Sequence, residues 1–239
     1  MKYLYGPVQS RRLGLSLGIT LTPQKVCSFD CVYCQLGKTT LKAKERKSYL
    51  DINDILVELR EFLESPDFRL APPDCISLSG FGEPSLNIDI ARLISEIKKL
   101  SPITLVLITN ASLFSDFLAR QDVLGVDVLI PSLDAVTQDV FEKIDRPVSA
   151  IKIEDIISGL IDLRKEFKGK MLLEIMLIKG LNDSLEYAYK FREVIEKINP
   201  DKLQLNIPVR LTSEAWVRAP AKQRLLEIKD ILGPKCEII

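Results

Sequence analysis

The feature that most constrains the fold is the alternation of short apolar runs with amphipathic segments along the whole chain. Near-continuous apolar runs are typical of strands that are covered on both faces. Six such runs occur: Leu15–Leu21, Cys75–Ser79, Ile103–Thr109, Val126–Pro131, Met171–Ile178 and Lys202–Ile207. Repeats of strand and helix require right-handed crossovers between parallel strands. The sequence therefore predicts an α/β fold with about six βα units, either as an open doubly wound sheet or as a partial barrel.

The segments between these runs have the period of amphipathic helices. Asp51 is placed to cap a helix whose apolar face runs over residues 52–63. A second apolar stripe covers residues 90–100 and ends before Pro102. Asp183 and Glu186 have the spacing of a capping box, which predicts that a further helix begins there.

Composition excludes several classes of protein. The chain has 239 residues, of which 46% are hydrophobic, and 33 basic residues balance 33 acidic ones. This balance is typical of a folded domain and not of a disordered chain. Histidine is absent, so the commonest general base and metal ligand are missing. We expect a single domain over residues 1–239 with a helical extension from about residue 212.

The apolar runs are much shorter than the ~20 residues that a membrane helix needs, and no secretory leader is recognisable in the sequence. We therefore expect a cytoplasmic protein with reduced thiols and without membrane association. We also expect it to be a monomer.

Three of the five cysteines, Cys27, Cys31 and Cys34, follow the first predicted strand directly. Clustered thiols in a reducing compartment indicate a metal site, although three ordinary buried cysteines are an alternative. A structural zinc site would need a fourth ligand, which only Cys75 or Cys236 could supply as a thiolate. An iron–sulfur cluster usually takes four cysteines, and three would leave one iron open for another ligand. At this point both metals stay possible.

The spacing of Cys27, Cys31, Tyr33 and Cys34, C-x-x-x-C-x-aromatic-C, resembles the signature of the radical S-adenosylmethionine (SAM) superfamily. The resemblance implies a partial parallel (βα) barrel and a [4Fe-4S] cluster on the three cysteines of a loop over residues 27–34. It also implies that SAM chelates the fourth iron and is cleaved reductively to a 5′-deoxyadenosyl radical, which abstracts hydrogen from a substrate. An external electron donor such as flavodoxin or ferredoxin would supply the electron. Tyr33 would lie against the adenine of SAM.

Two later segments resemble SAM-binding segments of the same superfamily. The run Ser79-Gly80-Phe81-Gly82-Glu83-Pro84 resembles the segment that binds the amino group of SAM. Its glycines, Gly80 and Gly82, allow close approach of a ligand to the backbone, and Glu83 offers an acceptor for a cationic amine. Ile178, at the end of the fifth predicted strand, stands where the superfamily has an apolar residue in contact with the adenine of SAM, as the resemblance implies. Without the cysteines upstream, both segments would be ordinary turns.

Short polar residues end the third and fourth strands. Thr109 and Asn110 resemble one segment, and Ser132 and Asp134 another, of the branch that contains the molybdenum-cofactor cyclases. The resemblance places these four residues in the SAM pocket. Ala111 stands where that branch usually has glycine. Such residues are also common turn formers, which is the alternative interpretation.

A longer resemblance covers roughly Tyr5 to the last helix. It is to short radical SAM proteins described as iron–sulfur oxidoreductases, which are related to wyosine-forming tRNA enzymes. The segments that carry it are Gly6–Gly14, Asp30–Gly37, Arg146-Pro147, Leu173–Leu177 and Gln204–Arg210. The wyosine enzymes hold a second cluster on three further cysteines, whereas this chain has two cysteines outside the loop.

Several residues are candidates for substrate binding. Glu174 and Asn206 lie on predicted strands and Arg210 follows the sixth strand; buried without partners they would be unfavourable, so they either pair with each other or bind substrate. Arg11, Arg12 and the basic segment Lys38–Lys47 are either solvated or bind phosphates. Kinship favours a tRNA base or a nucleotide as substrate. The alternatives are an activase that generates a glycyl radical on a partner protein, and a zinc- or iron–sulfur-binding structural or electron-transfer protein.

Overall fold

A computed structural model describes residues 1–239. The strands are β1 (Leu4–Ser10), β2 (Gly14–Thr20), β3 (Val26–Cys27), β4 (Leu41–Lys42), β5 (Cys75–Ser79), β6 (Thr104–Thr109), β7 (Val128–Pro131), β8 (Lys170–Met176), β9 (Lys202–Asn206) and β10 (Cys236–Ile238). The helices are α1 (Ile52–Glu64), α2 (Pro66–Leu70), α3 (Ile90–Leu100), α4 (Phe117–Gln121), α5 (Gln138–Ile144), α6 (Ile153–Glu166), α7 (Leu185–Ile198) and α8 (Lys222–Leu232). None of the helices is both long enough and apolar enough to cross a bilayer.

One sheet contains eight of the strands in the order β1-β2-β5-β6-β7-β8-β9-β10. Strand β1 runs antiparallel to β2, and every other neighbouring pair is parallel. The six strands predicted from the apolar runs are all present, with ends that differ by at most two residues. Strand β8 ends at Met176 instead of Ile178, because the side chain of Asn182 accepts a hydrogen bond from the Ile178 amide at 2.7 Å.

The two edge strands were not predicted. Strand β1 is mostly half-exposed, so it lacks the apolar run that marks the central strands. Strand β10 lies in the segment from about residue 212 that was expected to be helical. The expected helix is α8, and the chain then pairs with β9 as a strand. The segment thus contains one helix and one short strand.

The N-terminal caps of two helices can be compared with those predicted from the sequence. Asp51 caps α1 as expected, with Oδ1 accepting from the Asn53 amide at 2.9 Å. The prediction that Asp183 caps the helix after the fifth strand was wrong by one residue. Ser184 caps α7 by accepting from the Tyr187 amide, while Asp183 accepts from the Gly180 amide in the preceding turn.

The two faces of the sheet differ in chemistry. On the outer face, alternate strand residues such as Leu78, Leu107 and Leu205 pack with the helices in a core of 52 buried residues. The inner face presents the residues between them. Its centre is a small apolar cluster of Cys75, Val106, Ile130 and Leu172, against which Leu13 of the β1–β2 turn packs. Its flanks are polar, with Ser16, Ser77, Glu174, Gln204 and Asn206 buried on β2, β5, β8 and β9.

Candidate active site

The loop with the three cysteines starts at the carboxyl side of β2 and is held against the end of α5. Cys27 ends the short strand β3. The amide of Asp30 donates to the Asp145 carbonyl oxygen, and the amide of Val32 donates to the Ile144 carbonyl oxygen, both at 2.9 Å. These backbone bonds fix the course of the loop between Cys27 and Cys34.

The three thiols are half-buried, and the surroundings of Cys27 and Cys31 disfavour bare thiolates. Burial raises the pKa of Cys27 to about 12, and the nearby Glu83 carboxylate adds to the shift. The Cys31 thiol donates to Oδ1 of Asp145 at 3.2 Å, and burial followed by the Asp145 charge raises the pKa of Cys31 well above its usual value. Thiolates here need a compensating cation. Iron bound by soft sulfur donors meets that need, so the donor set fits an iron–sulfur cluster.

No three Cys, Asp or Glu side chains surround a single-ion position in the structure. Cys75 and Cys236, the two remaining cysteines, begin β5 and β10 and pair in register with Ser16 and Leu203. They therefore lie at the amino ends of the parallel strands, whereas the cysteine loop lies at the carboxyl ends. Neither can join the three loop cysteines as a fourth ligand of one metal ion. A zinc site with four thiolates is therefore excluded.

Glu83 connects the turn after β5 with the end of β6. Its Oε1 accepts from the hydroxyls of Ser85 and Thr109, each at 2.6 Å, and its Oε2 accepts from the Asn110 amide at 2.8 Å. The amide of Glu83 donates to the Val26 carbonyl oxygen at 3.0 Å. Burial raises the pKa of Glu83, and these hydrogen bonds oppose the shift. The carboxylate thus has a positioning role, and its expected role as amine acceptor stays a prediction.

The two glycines of this turn allow the backbone to come close to the cysteine loop. Gly80 has φ +110°, a conformation that favours glycine. A Cβ at Gly82 would overlap with the carbonyl oxygen of Val26. The turn and the loop are therefore in backbone contact, as a cofactor shared by both would require.

Asn110 contacts the cysteine loop directly. Its Nδ2 donates to Oγ of Ser28 at 2.9 Å and lies 3.5 Å from Sγ of Cys27. Ala111, which replaces the glycine of the resembling branch, has φ 59°. The left-handed turn that a glycine would favour is therefore retained with alanine.

Tyr33 and Asp134 form a buried pair beside the loop. The Tyr33 hydroxyl donates to Oδ2 of Asp134, and Oδ1 of Asp134 accepts from the Met176 amide at 2.7 Å. Burial raises the pKa of Asp134 to about 6. Asn182 donates to the Asp134 carbonyl oxygen at 2.9 Å and holds the amide of Ile178. The expected adenine contact Ile178 is fully buried next to this network.

A small cleft, partly open to solvent, lies at this edge of the sheet. Its lining includes the expected residues Tyr33, Asn110, Ser132 and Asp134, together with Phe29, Leu133, Phe141, Asp145, Ile153 and Ile156. Asp145 was not identified from the sequence. It follows the last residue of α5 as the C-cap, and only the structure shows that it contacts Cys31.

Two of the three expected substrate residues lie together on the inner face. Nδ2 of Asn206 donates to Oε1 of Glu174 at 3.3 Å. The β1–β2 turn adds two cations, because Arg12 forms an ion pair with Glu174 and Nη2 of Arg11 donates to Oδ1 of Asn206 at 2.8 Å. Mutual pairing, one of the two alternatives from the sequence, is the arrangement that the structure shows.

Arg210, the third expected substrate residue, lies apart from this group. It is exposed, and its Nη1 donates to Oε1 of Gln35, next to the cysteine loop, at 2.8 Å. The basic segment Lys38–Lys47 is mostly solvated. Its Arg46 is an exception, since it pairs with Asp122 at 2.6 Å.

The comparisons with known proteins agree with this geometry. The family model described as "Radical SAM superfamily" matches residues 21–192. A UPF0026 protein of Methanocaldococcus jannaschii is 32% identical over 98% of this chain and 72% of its own length. A protein of Brachyspira hyodysenteriae named GTPase Obg is 38% identical over 99% of this chain, which spans only 34% of that protein.

More distant relatives are named for reactions on RNA and a nucleotide. A dual-specificity RNA methyltransferase RlmN of Oleidesulfovibrio alaskensis is 25% identical over 90% of this chain and 61% of its own length. A probable GTP 3′,8-cyclase of Saccharolobus solfataricus is 28% identical over 79% of this chain and 55% of its own length.

Solved structures share the fold. A radical SAM methyltransferase from Sphaerobacter thermophilus superimposes with a TM-score of 0.72 at 18% identity, over 94% of this chain and 65% of that chain. TYW1 with a lysine-pyruvate adduct bound gives a TM-score of 0.63 at 21% identity, over 91% of this chain and 72% of that chain. The sheet is therefore the partial parallel barrel that the sequence predicted.

Proposed function

Because this chain belongs to the radical SAM superfamily, and within it to the UPF0026 proteins, we propose that Cys27, Cys31 and Cys34 hold the [4Fe-4S] cluster that superfamily members use together with SAM. Membership makes the protein an enzyme, so the hypothesis of a non-catalytic zinc or electron-transfer protein is wrong. Enzymes of this superfamily need an external electron donor; flavodoxin and ferredoxin are the donors we propose.

The SAM pocket that we propose lies at the carboxyl edge of the sheet. Gly80 and Gly82 would offer backbone groups to the amino acid part of SAM, with Glu83 holding their turn in place. Thr109 and Asn110 would hold the next turn against the cysteine loop. Tyr33, Ser132, Asp134 and Ile178 complete the set. Four of these residues, Tyr33, Asn110, Ser132 and Asp134, line the same cleft.

A [4Fe-4S] cluster held by Cys27, Cys31 and Cys34 would supply the electron for the reductive cleavage of SAM. The residues of the chain would bind the cofactors and orient the groups around them. Asn110 aligns the loop through Ser28 and Cys27, and Glu83 fixes Asn110 through its amide. Asp134 orients Tyr33 by accepting its hydroxyl proton in a hydrogen bond. Because these groups are partnered in the protein, little reorganisation is needed when the cofactors bind.

The observation that carries the proposal is the bridging position of Asn110. One residue contacts the first cysteine of the loop with its side chain and the G-F-G-E-P turn with its amide. A metal site without SAM would not need this connection. The half-buried thiols, and the lack of space for a Cβ at Gly82, support the same assignment.

For the substrate we propose a nucleotide, either free or as part of an RNA. The names of two distant relatives, an RNA methyltransferase and a GTP cyclase, support this class. Glu174 and Asn206 would contact the substrate from the inner face, and Arg210 from the rim. The activase of a glycyl radical protein stays the alternative prediction.

The proposal is tested by anaerobic reconstitution of the full chain and three single variants, Cys27→Ala, Cys31→Ala and Cys34→Ala. We expect the wild type to bind about four irons per chain and, with dithionite and SAM, to form 5′-deoxyadenosine. Each variant should lose most of the product. Cys236→Ala is the matched control, because it removes a thiol at the amino end of the strands and should retain both iron and product. Full iron and product in a loop variant would contradict the assignment of the ligands.

A further inference from the structure

The turn between β1 and β2 reaches across the inner face of the sheet. Leu13 packs on the apolar cluster at the centre of this face. Arg12 continues to Glu174 on β8, and Arg11 reaches Asn206 on β9 and the carbonyl oxygen of Ile239 at 2.9 Å. The sheet order puts β1 and β2 at one side and β8 to β10 at the other. The turn therefore closes the open side of the partial barrel.

The two guanidinium groups arrive at the edge where the SAM pocket is proposed. Glu174 forms an isolated bridge with Ser132, which belongs to the proposed SAM pocket. Asn206 is the last residue of β9. Arg11 and Arg12 thus come from a turn that precedes β2 but act at the carboxyl ends of β8 and β9. A substrate that enters from this edge meets them next to the proposed SAM pocket.

The local charge of this group is positive. Arg11 and Arg12 bring two cations. The side-chain carboxylate of Glu174 pairs with Arg12, and Arg11 bonds to the uncharged side chain of Asn206. The Arg12 and Glu174 side chains are only 15% and 11% exposed. Burial and the neighbouring Arg11 lower the pKa of Arg12 to about 10, so it stays charged near neutral pH. Arg12 is largely buried and Arg11 is exposed. Two cations beside one carboxylate leave a positive charge that a second anion can neutralise.

The geometry points to an anion subsite in the barrel, where Arg12, supported by Arg11, binds a phosphate group of the substrate while Asn206 and Glu174 contact its polar part. This inference rests on the proposed nucleotide substrate and names where its phosphate lies. A guanidinium carries several donors in one plane and is suited to phosphate recognition. The phosphate can belong to a free nucleotide or to an RNA strand, and the two sources share this chemistry.

The test measures binding to the reconstituted full chain in the presence of SAM. Calorimetric titrations with GTP and guanosine, and with ATP and adenosine, give the preference for the phosphorylated member of each pair. We expect a preference of about tenfold or more in the wild type. Arg12→Gln should reduce it to less than threefold. Arg192→Gln, which removes an exposed arginine paired with Glu196 on α7, is the matched control and should keep the full preference.

A second variant guards against a purely structural role of Arg12. Glu174→Gln removes the carboxylate that competes for Arg12 and keeps the shape of the side chain. We expect it to bind the triphosphates several-fold more tightly than the wild type, whereas loss of a structural ion pair would not strengthen binding. The same comparison is made with tRNA, and the ligand whose binding depends on Arg12 decides. Unchanged or weaker binding of that ligand to Glu174→Gln would overturn the inference.

A titration with transfer RNA (tRNA) distinguishes the two sources of phosphate. Bulk tRNA is titrated at two salt concentrations, because phosphate contacts weaken with salt through counterion release. Arg12-dependent binding of tRNA alone would identify RNA as the source, and Arg12-dependent binding of the free nucleotides would identify a small substrate. No Arg12 dependence in either arm would overturn the inference. Iron content and SAM-dependent change of the electron paramagnetic resonance (EPR) signal are measured in the same samples, so a failure of the proposed function is recognised separately.

Discussion

The outer and inner faces of the sheet are built from the same strands by alternate residues, yet they serve different purposes. On β5, for example, Ile76 and Leu78 face the helices, and Ser77 and Ser79 face inwards. On β8, Leu173 and Ile175 flank the inward Glu174. The outer face stabilises the fold by removing apolar surface from water. The inner face carries buried polar groups, which a protein retains at a cost in stability when they recognise a ligand.

The largest effect on stability is expected on the outer face. Leu107→Ala removes a fully buried side chain and should lower the free energy of unfolding by about 4 kcal/mol. Ser77→Ala on the inner face removes a hydroxyl that lies 3.0 Å from Oγ of Ser16 and should cost about 1 kcal/mol. Urea denaturation of both variants measures the difference. Equal losses of unfolding free energy in the two variants would show that the outer face does not contribute more to stability than the inner face.

A smaller effect is expected when the ion pair of the inner face is broken. Glu174→Ala leaves Arg12 buried without its carboxylate, and we expect a loss of about 3 kcal/mol. The double variant Arg12→Met/Glu174→Leu should recover most of this loss, because an apolar pair needs no compensation for buried charge. Urea denaturation of the single and double variants checks this. A double variant as unstable as Glu174→Ala would mean that the pair itself stabilises the fold.

Asp134 lies at the carboxyl edge of the sheet, and its raised pKa predicts that the free energy of unfolding depends on pH. Its pKa is raised to about 6 by burial, so the folded protein favours the neutral acid. This contribution to stability is present below about pH 4, the usual range of the group, and is lost as the pH rises through about 6. We expect the metal-free wild type to lose at most about 3 kcal/mol relative to Asp134→Asn over this range. Asp155→Asn, on the exposed side of α6, is the control, and its free energy of unfolding should follow the wild type. If the difference in free energy of unfolding between wild type and Asp134→Asn does not change with pH, the raised pKa of Asp134 is refuted.

The smallest effect is expected for Arg210→Gln. This arginine was grouped with Glu174 and Asn206 from the sequence, but it is exposed and bonds to Gln35. Exposed pairs contribute little, so the free energy of unfolding should change by less than about 0.5 kcal/mol. Thermal and urea denaturation measure the change. A loss as large as that of Glu174→Ala would mean that Arg210 belongs to the buried group after all.

The central strands and the cysteine loop were predictable because their signals are local. Strand β5 was predicted with its observed bounds, and the helix from Asp51 with its observed cap. The edge strands β1 and β10 were not, because an edge strand is partly exposed and lacks a continuous apolar run. The cap of α7 was misplaced by one residue because Asp183 and Ser184 are both good capping residues.

The candidate site was predictable where several motifs share one edge of the sheet, and not where single residues meet across it. Asp145 has no motif around it, and only the fold brings it to Cys31. Arg12 and Glu174 are 162 positions apart, so their ion pair cannot be recognised in the sequence. Glu83 is likewise buried among four hydrogen bonds that join two turns, and the sequence does not show these contacts.

The central claim is that the cysteine loop and the turns beside it form one site for a cluster and SAM. EPR spectroscopy of the anaerobically reconstituted and reduced chain, recorded before and after addition of SAM, tests it most directly. We predict a reduced [4Fe-4S] signal that requires Cys27, Cys31 and Cys34, persists in Cys236→Ala, and shifts when SAM is added. An iron-loaded protein whose signal is unchanged by SAM would contradict the account.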